Sequence, residues 1–113
     1  KMETPEKAAI REVREETGLA VSNLNSIGTL NFSNLGDKPF TVHVFLTEDF
    51  SGRLKRSREG ELRWFDMESV PYDEMWEDDR YWFPKLISRQ RFSGEFVFEK
   101  DFQRLVKHNV ERI

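Results

Sequence analysis

Glu12, Glu15 and Glu16 stand at i, i+3 and i+4 within Arg11-Glu12-Val13-Arg14-Glu15-Glu16-Thr17-Gly18. If that run is helical, the three carboxylates leave it on one side and repel one another. They also lie toward the helix C-terminus, where cations are favoured and each misplaced anion costs about 0.3–1 kcal/mol. Such a face is either solvated surface relieved by Arg11 and Arg14 or a site for a hard cation. Clustered carboxylate oxygens are what Mg2+, Mn2+ or Ca2+ require, and the cation would remove both the repulsion and the dipole penalty. Electrostatics leaves both open.

The surrounding chain must supply that helix. Thr4-Pro5 is a start signal and Gly18 the matching stop, and Ala9, Ile10, Val13 and Thr17 recur at three- and four-residue steps between them. Ser26–Phe32 and Phe40–Thr47 are rich in β-branched and aromatic residues and flank the turn-rich Asn34-Leu35-Gly36-Asp37-Lys38-Pro39, which predicts a hairpin. A charged connection from Glu48 to Glu61 leads to a short predicted strand, Leu62–Phe65, and a turn, Asp66–Val70, ending at Pro71. A second helix is expected to open at Phe83-Pro84-Lys85-Leu86-Ile87 and end near Arg91. Gly94–Phe98 and Leu105–Val110 read as strands, the latter with a helical alternative, and Lys100-Asp101 falls near the turn between them. Strands flanked by two helices predict an α/β or α+β sandwich.

The 113 residues predict one domain, 1–113, with one core. The absence of Cys excludes disulfides, thiolate metal sites and Cys nucleophiles, and fits a reducing, cytoplasmic compartment. No apolar run exceeds Phe40–Leu46, which His43 interrupts, so no helix of the ~20 residues needed to span a bilayer is expected. A net charge of −3 argues against a protein that grips nucleic-acid polymer and leaves free nucleotides as partners. Of the two His, His43 is expected to be structural and His108 to face solvent. The chain opens directly into the helical pattern, as though entered partway through a domain.

With Glu3, seven intervening residues, then Arg11-Glu12-Val13-Arg14-Glu15-Glu16-Thr17-Gly18-Leu19, the chain resembles the Nudix signature GX5EX7REUXEEXGU, U being apolar. It agrees at every specified position from Glu3 onward. The signature's opening Gly would fall before Lys1, in keeping with an N-terminally clipped chain. The resemblance implies a Nudix fold, a mixed sheet between helices, and an enzyme that hydrolyses a nucleoside diphosphate linked to another moiety. It implies Glu12, Glu15 and Glu16 as ligands of Mg2+, with Mn2+ an alternative, a bracing Glu3–Arg11 ion pair, and Gly18 as the helix cap.

The second half carries a narrower resemblance. Val42-His43-Val44-Phe45, Glu59 six residues before Phe65, Met75-Trp76-Glu77-Asp78-Asp79-Arg80-Tyr81-Trp82-Phe83-Pro84 and Arg91-Phe92-Ser93-Gly94 are similar to the animal MutT-homologue branch, whose pattern is Met-Trp-Pro-Asp-Asp-x-Tyr-Trp-Phe-Pro. Glu77 stands where that branch has Pro. The implied substrate is an oxidised purine nucleoside triphosphate, 8-oxo-dGTP first, cleaved to monophosphate and pyrophosphate in nucleotide-pool sanitation.

Carried over by position, Trp76 would stack on the purine, Asp78 and Asp79 would bond its edge, Phe32 and Phe40 would line the pocket, and Glu59 would add a metal-directed carboxylate, with Glu61 its competitor. Two adjacent carboxylates between aromatic walls cannot both ionise easily, so one is expected to hold a proton and donate it to the base. Tyr81, Trp82 and Phe83 are assigned to packing. The competing expectations are another nucleoside diphosphate-linked substrate, such as a dinucleoside polyphosphate or nucleotide sugar, and a non-catalytic binding module. The expected oligomeric state is a monomer or weak dimer.

Overall fold

The computed structural model describes residues 3–34, 38–55, 62–99 and 104–113. Two compact units emerge, one of residues 1–26 with 45–66 and the other of residues 27–44 with 67–113.

In the first unit, helix α1 spans Pro5–Thr17. Thr4 caps it, its hydroxyl accepting the Lys7 N–H at 3.2 Å, with Pro5 at the first helical position. It stops at Gly18, whose φ of 86° is a left-handed conformation that a side chain would strain, and the Gly18 N–H closes on the Arg14 carbonyl at 3.0 Å. Beyond the cap, β1 (Ala20–Ser22) pairs antiparallel with the strand Asp49–Ser51, here β4. Neither was legible as a strand, because three residues are too few to display a period of two. Their ends are tied by Thr47 Oγ1 donating to the Ser22 carbonyl at 2.6 Å and Asn23 Nδ2 donating to Asp49 at 2.7 Å. The predicted strand at Leu62–Phe65 does not form. Its rings find other partners: Trp64 lies 5.3 Å from Phe50, and the Arg63 guanidinium lies 5.0 Å from the Phe65 ring.

The larger sheet contains β2 (Asn25–Asn34), β3 (Phe40–Leu46), β5 (Phe92–Phe98) and β6 (Leu105–Arg112), in the order β3-β2-β5-β6. It is mixed: β2 runs parallel to β5 from Gly28 opposite Phe92 to Asn34 opposite Phe98, and β6 runs antiparallel to β5. The final segment is therefore a strand.

Alternation along β5 buries Phe92, Gly94, Phe96 and Phe98, and the three rings with Leu30 are the largest fully buried side chains among the described residues. Gly28 is required by that packing, since a Cβ there would lie 2.7 Å from the Phe92 ring. Helix α2 spans Asp79–Ile87 and packs on β5 through Trp82, 5.9 Å from Phe92. It begins at Asp79 rather than the expected Phe83 and ends at Ile87 rather than near Arg91. Pro84, expected among its opening residues, instead lies inside the helix, where it removes one intrahelical hydrogen bond. Among the described residues, no helix is long and apolar enough to cross a membrane.

Candidate functional site

Arg11 braces the acidic face of α1. Arg11 takes Glu3 in a two-pronged bond, Nε donating at 2.9 Å and Nη2 at 2.8 Å. Those bonds hold the Glu3 carboxyl below its ordinary range and raise the Arg11 guanidinium further, so both stay charged. Arg11 also reaches Glu15 at 3.1 Å, one helical turn on, and Glu12 at 3.9 Å.

The other end of this face is held at the helix C-terminus. The Lys55 backbone N–H donates to the Thr17 carbonyl at 2.8 Å, and Lys55 Nζ donates to the Glu15 carbonyl. A cation thus meets the negative end of the helix, where the dipole favours it.

Glu12, Glu15 and Glu16 are all exposed and all present hard oxygen donors, which is the chemistry of an Mg2+ or Mn2+ site. Among the described residues, however, no three carboxylate or imidazole groups gather closely enough to hold a metal. Glu12 and Glu15 lean toward Arg11 instead. Their backbone positions already share one side of the helix, so side-chain rotation alone would bring them together. Glu59 and its competitor Glu61 lie outside the described residues.

In the second unit, a cleft of about 500 Å³ is lined by Leu30, Phe32, Phe40, Val42, Val44, Trp76, Asp78, Asp79, Trp82 and Phe98. That volume lies within the range of small-molecule sites. Phe32 and Phe40 stack at 5.4 Å with 28° between their planes, and Phe96 backs Phe32 at 5.6 Å. Trp76 is 66% exposed, so a large flat face stands open at the cleft. The five pocket residues expected from the sequence, Phe32, Phe40, Trp76, Asp78 and Asp79, all line this one cavity.

The acidic pair is differentiated by its surroundings. Asp78 is only 4% exposed. It occupies the N-cap position of α2 but does not cap it; its Oδ2 accepts the Trp82 indole N–H at 2.9 Å. Asp79 is half-buried, and its carboxyl is pushed up to about 6, first by burial and then by the charge of Asp78. The nearby Trp76 backbone and Trp82 indole pull the other way without cancelling the rise.

Trp82, assigned to packing, therefore has a second role as donor to Asp78 and as part of the wall. Its spacing, four residues after Asp78 on a helix, was the available signal. Leu30, Val42, Val44 and Phe98 were also missed as lining residues. The period of two carries Phe32 to Leu30, and Phe40 to Val42 and Val44, on the same strand face. Phe98, on β5, needed the strand order to be found. His43 is exposed on β3, and His108 is exposed on β6 with its imidazole stacked 3.9 Å from the Tyr81 ring.

A protein-family model described as NUDIX domain matches residues 1–86. The chain is 37% identical over 112 residues to an oxidized purine nucleoside triphosphate hydrolase of Danio rerio, covering 98% of this chain and 71% of that protein. It is 37% identical over 98 residues to a protein of the same name from Mus musculus, covering 86% of this chain and 63% of that one. Among solved structures, the MutT protein from Bacillus halodurans superposes with a TM-score of 0.85 at 25% identity, covering 96% of this chain and 74% of that chain.

Proposed function

The chain belongs to the Nudix family, and on that premise we propose that it hydrolyses oxidised purine nucleoside triphosphates, 8-oxo-dGTP first among them, to the monophosphate and pyrophosphate. The observation that carries the substrate class is the pairing of Asp78 and Asp79 inside a cleft otherwise walled by aromatic and aliphatic side chains. Such a cleft accepts a flat base by stacking, and the raised proton affinity of Asp79 lets its carboxyl donate at the base's edge. The names of the Danio rerio and Mus musculus relatives support the same reading.

In this proposal Trp76, Phe32 and Phe40 hold the purine, and Asp78 and Asp79 read it. Asp78, buried at the cleft, is oriented by the Trp82 N–H. Nudix hydrolases generally use divalent metals, and Glu12, Glu15 and Glu16 would hold Mg2+, or Mn2+, with Glu59 a further carboxylate. When bound, the ion screens the polyphosphate charge and acidifies the attacking water. Glu3 and Arg11 fix the helix from which those glutamates project, and Gly18 ends it. We take residues 1–113 as one domain, acting as a monomer or weak dimer on the cytoplasmic nucleotide pool.

Steady-state hydrolysis of a panel of oxidised and unoxidised triphosphates, dinucleoside polyphosphates and nucleotide sugars, with products identified, tests the proposal. Pyrophosphate release with the highest kcat/KM on an oxidised purine is expected, and Glu15→Gln is expected to lower turnover by about two orders of magnitude or more while leaving nucleotide Kd within a few-fold. Release of single phosphates, or preference for a nucleotide sugar, would reject the reaction or the substrate. Binding without turnover would favour a non-catalytic module.

A further inference from the structure

Glu77 stands between two residues of the pocket wall, Trp76 and Asp78, yet it does not line the cavity. Its Oε1 accepts the backbone N–H of Leu105 at 3.1 Å, across 28 residues of chain. Leu105 opens β6 and is the register partner of Phe98, which does line the cavity. A second contact holds the same wall to the same strand: Tyr81, four residues after Glu77, lies on the His108 imidazole at 3.9 Å. Between these points the backbone turns tightly, with the Asp79 N–H on the Trp76 carbonyl at 3.1 Å and the Tyr81 N–H on the Asp78 carbonyl at 3.0 Å.

The segment carrying Trp76 and Asp78 is thus a short turn whose angle relative to the sheet is not set by its own hydrogen bonds. Trp76 is largely exposed, so neighbouring side chains do little to fix it. A proline at the position of Glu77, as in the MutT-homologue pattern, stiffens such a turn covalently by locking φ. Glutamate has no such restraint, and here its carboxylate replaces it with a charge-assisted hydrogen bond to a strand that the sheet already holds.

We propose that Glu77 is a positioning residue for base recognition: its carboxylate, anchored on the Leu105 N–H, sets the angle at which Trp76 and Asp78 meet the purine. This rests on the proposed function for its substrate, but not for the tie itself. Ordering the turn before the base arrives lowers the cost of binding, so the effect belongs in KM and not in kcat.

The test is Glu77→Ala and Glu77→Gln, measured by amide hydrogen exchange and by kinetics on 8-oxo-dGTP and dGTP. Glu77→Ala is expected to speed exchange at Leu105 and to raise KM for 8-oxo-dGTP by about 3- to 10-fold, the effect of losing one such bond, with kcat within twofold. Glu77→Gln retains an oxygen acceptor and is expected to restore both to within about threefold. Unchanged Leu105 exchange, a fall in kcat with KM unmoved, or a Gln variant no better than Ala overturns the assignment. If the wild-type protein turned over neither triphosphate, the proposed function would fall. The tie would then be decided by Leu105 exchange, and its effect on the base by the Kd of 8-oxodeoxyguanosine in the same variants.

Discussion

If Asp79 reads the purine as proposed, its raised proton affinity makes binding pH-dependent in a calculable way. With its carboxyl at about 6, about nine molecules in ten carry the proton at pH 5 and about one in ten at pH 7. If the neutral carboxyl is the form that donates to the base, the apparent Kd is the intrinsic value divided by that fraction. Affinity should then weaken about tenfold from pH 5 to pH 7. The free nucleoside 8-oxodeoxyguanosine is the appropriate ligand, because it has no phosphate to titrate and needs no metal. Calorimetric Kd values at half-unit steps should trace that curve in wild type and flatten in Asp79→Asn, whose amide donates at every pH. A flat wild-type profile, or the same slope in Asp79→Asn, would refute the assignment of the donor to Asp79.

The same group makes an independent statement about stability. Its folded value lies above the ordinary 3.8, so the native state holds the proton more tightly. Stability from this group is full below about pH 4 and is lost as pH rises toward 6. Above that window Asp79→Asn should be the more stable protein, by on the order of 1 kcal/mol once solvent screening of a half-buried carboxyl is allowed for. A thermal melt at pH 8 and pH 4 checks the sign.

Trp76→Ala should cost about 1–3 kcal/mol of nucleotide affinity, the range for losing one base–aromatic stack. A titration following nucleotide binding measures it, and an unchanged Kd would mean the base lies elsewhere. Gly28→Ala should destabilise the fold by about 1–3 kcal/mol, because its Cβ would press on the fully buried Phe92 ring at 2.7 Å. Urea denaturation gives the value, and Phe92→Leu in the same chain should recover part of it if the clash is the cause.

Local rules made much of this protein legible. Thr4-Pro5 and Gly18 bound α1 because capping depends on residues only a few positions apart, and the Glu3–Arg11 pair joins positions that a helix and its lead-in bring together. The strand segments β2, β3 and β5 showed in their β-branched and aromatic runs for the same reason. The misjudged elements were short or locally ambiguous. Two three-residue strands had no period to display, Leu62–Phe65 had strand composition but satisfied its rings by aromatic and cation contacts, and Pro84 marked a helix interior where a start was expected.

Read alone, the chain supplies the chemical groups and their local spacing: three carboxylates on one helical side, two adjacent aspartates, and a tryptophan and two phenylalanines expected around a base. Their state and company came with the folded sheet. The parallel pairing of β2 with β5 brings Leu30 and Phe98 to the pocket, burial makes Asp79 hold its proton more tightly than an ordinary aspartate, and β6 reaches back to hold Glu77. Spacing along the chain is fixed by covalent geometry, whereas proton affinity and wall position depend on groups tens of residues away, whose proximity exists only after the sheet has formed.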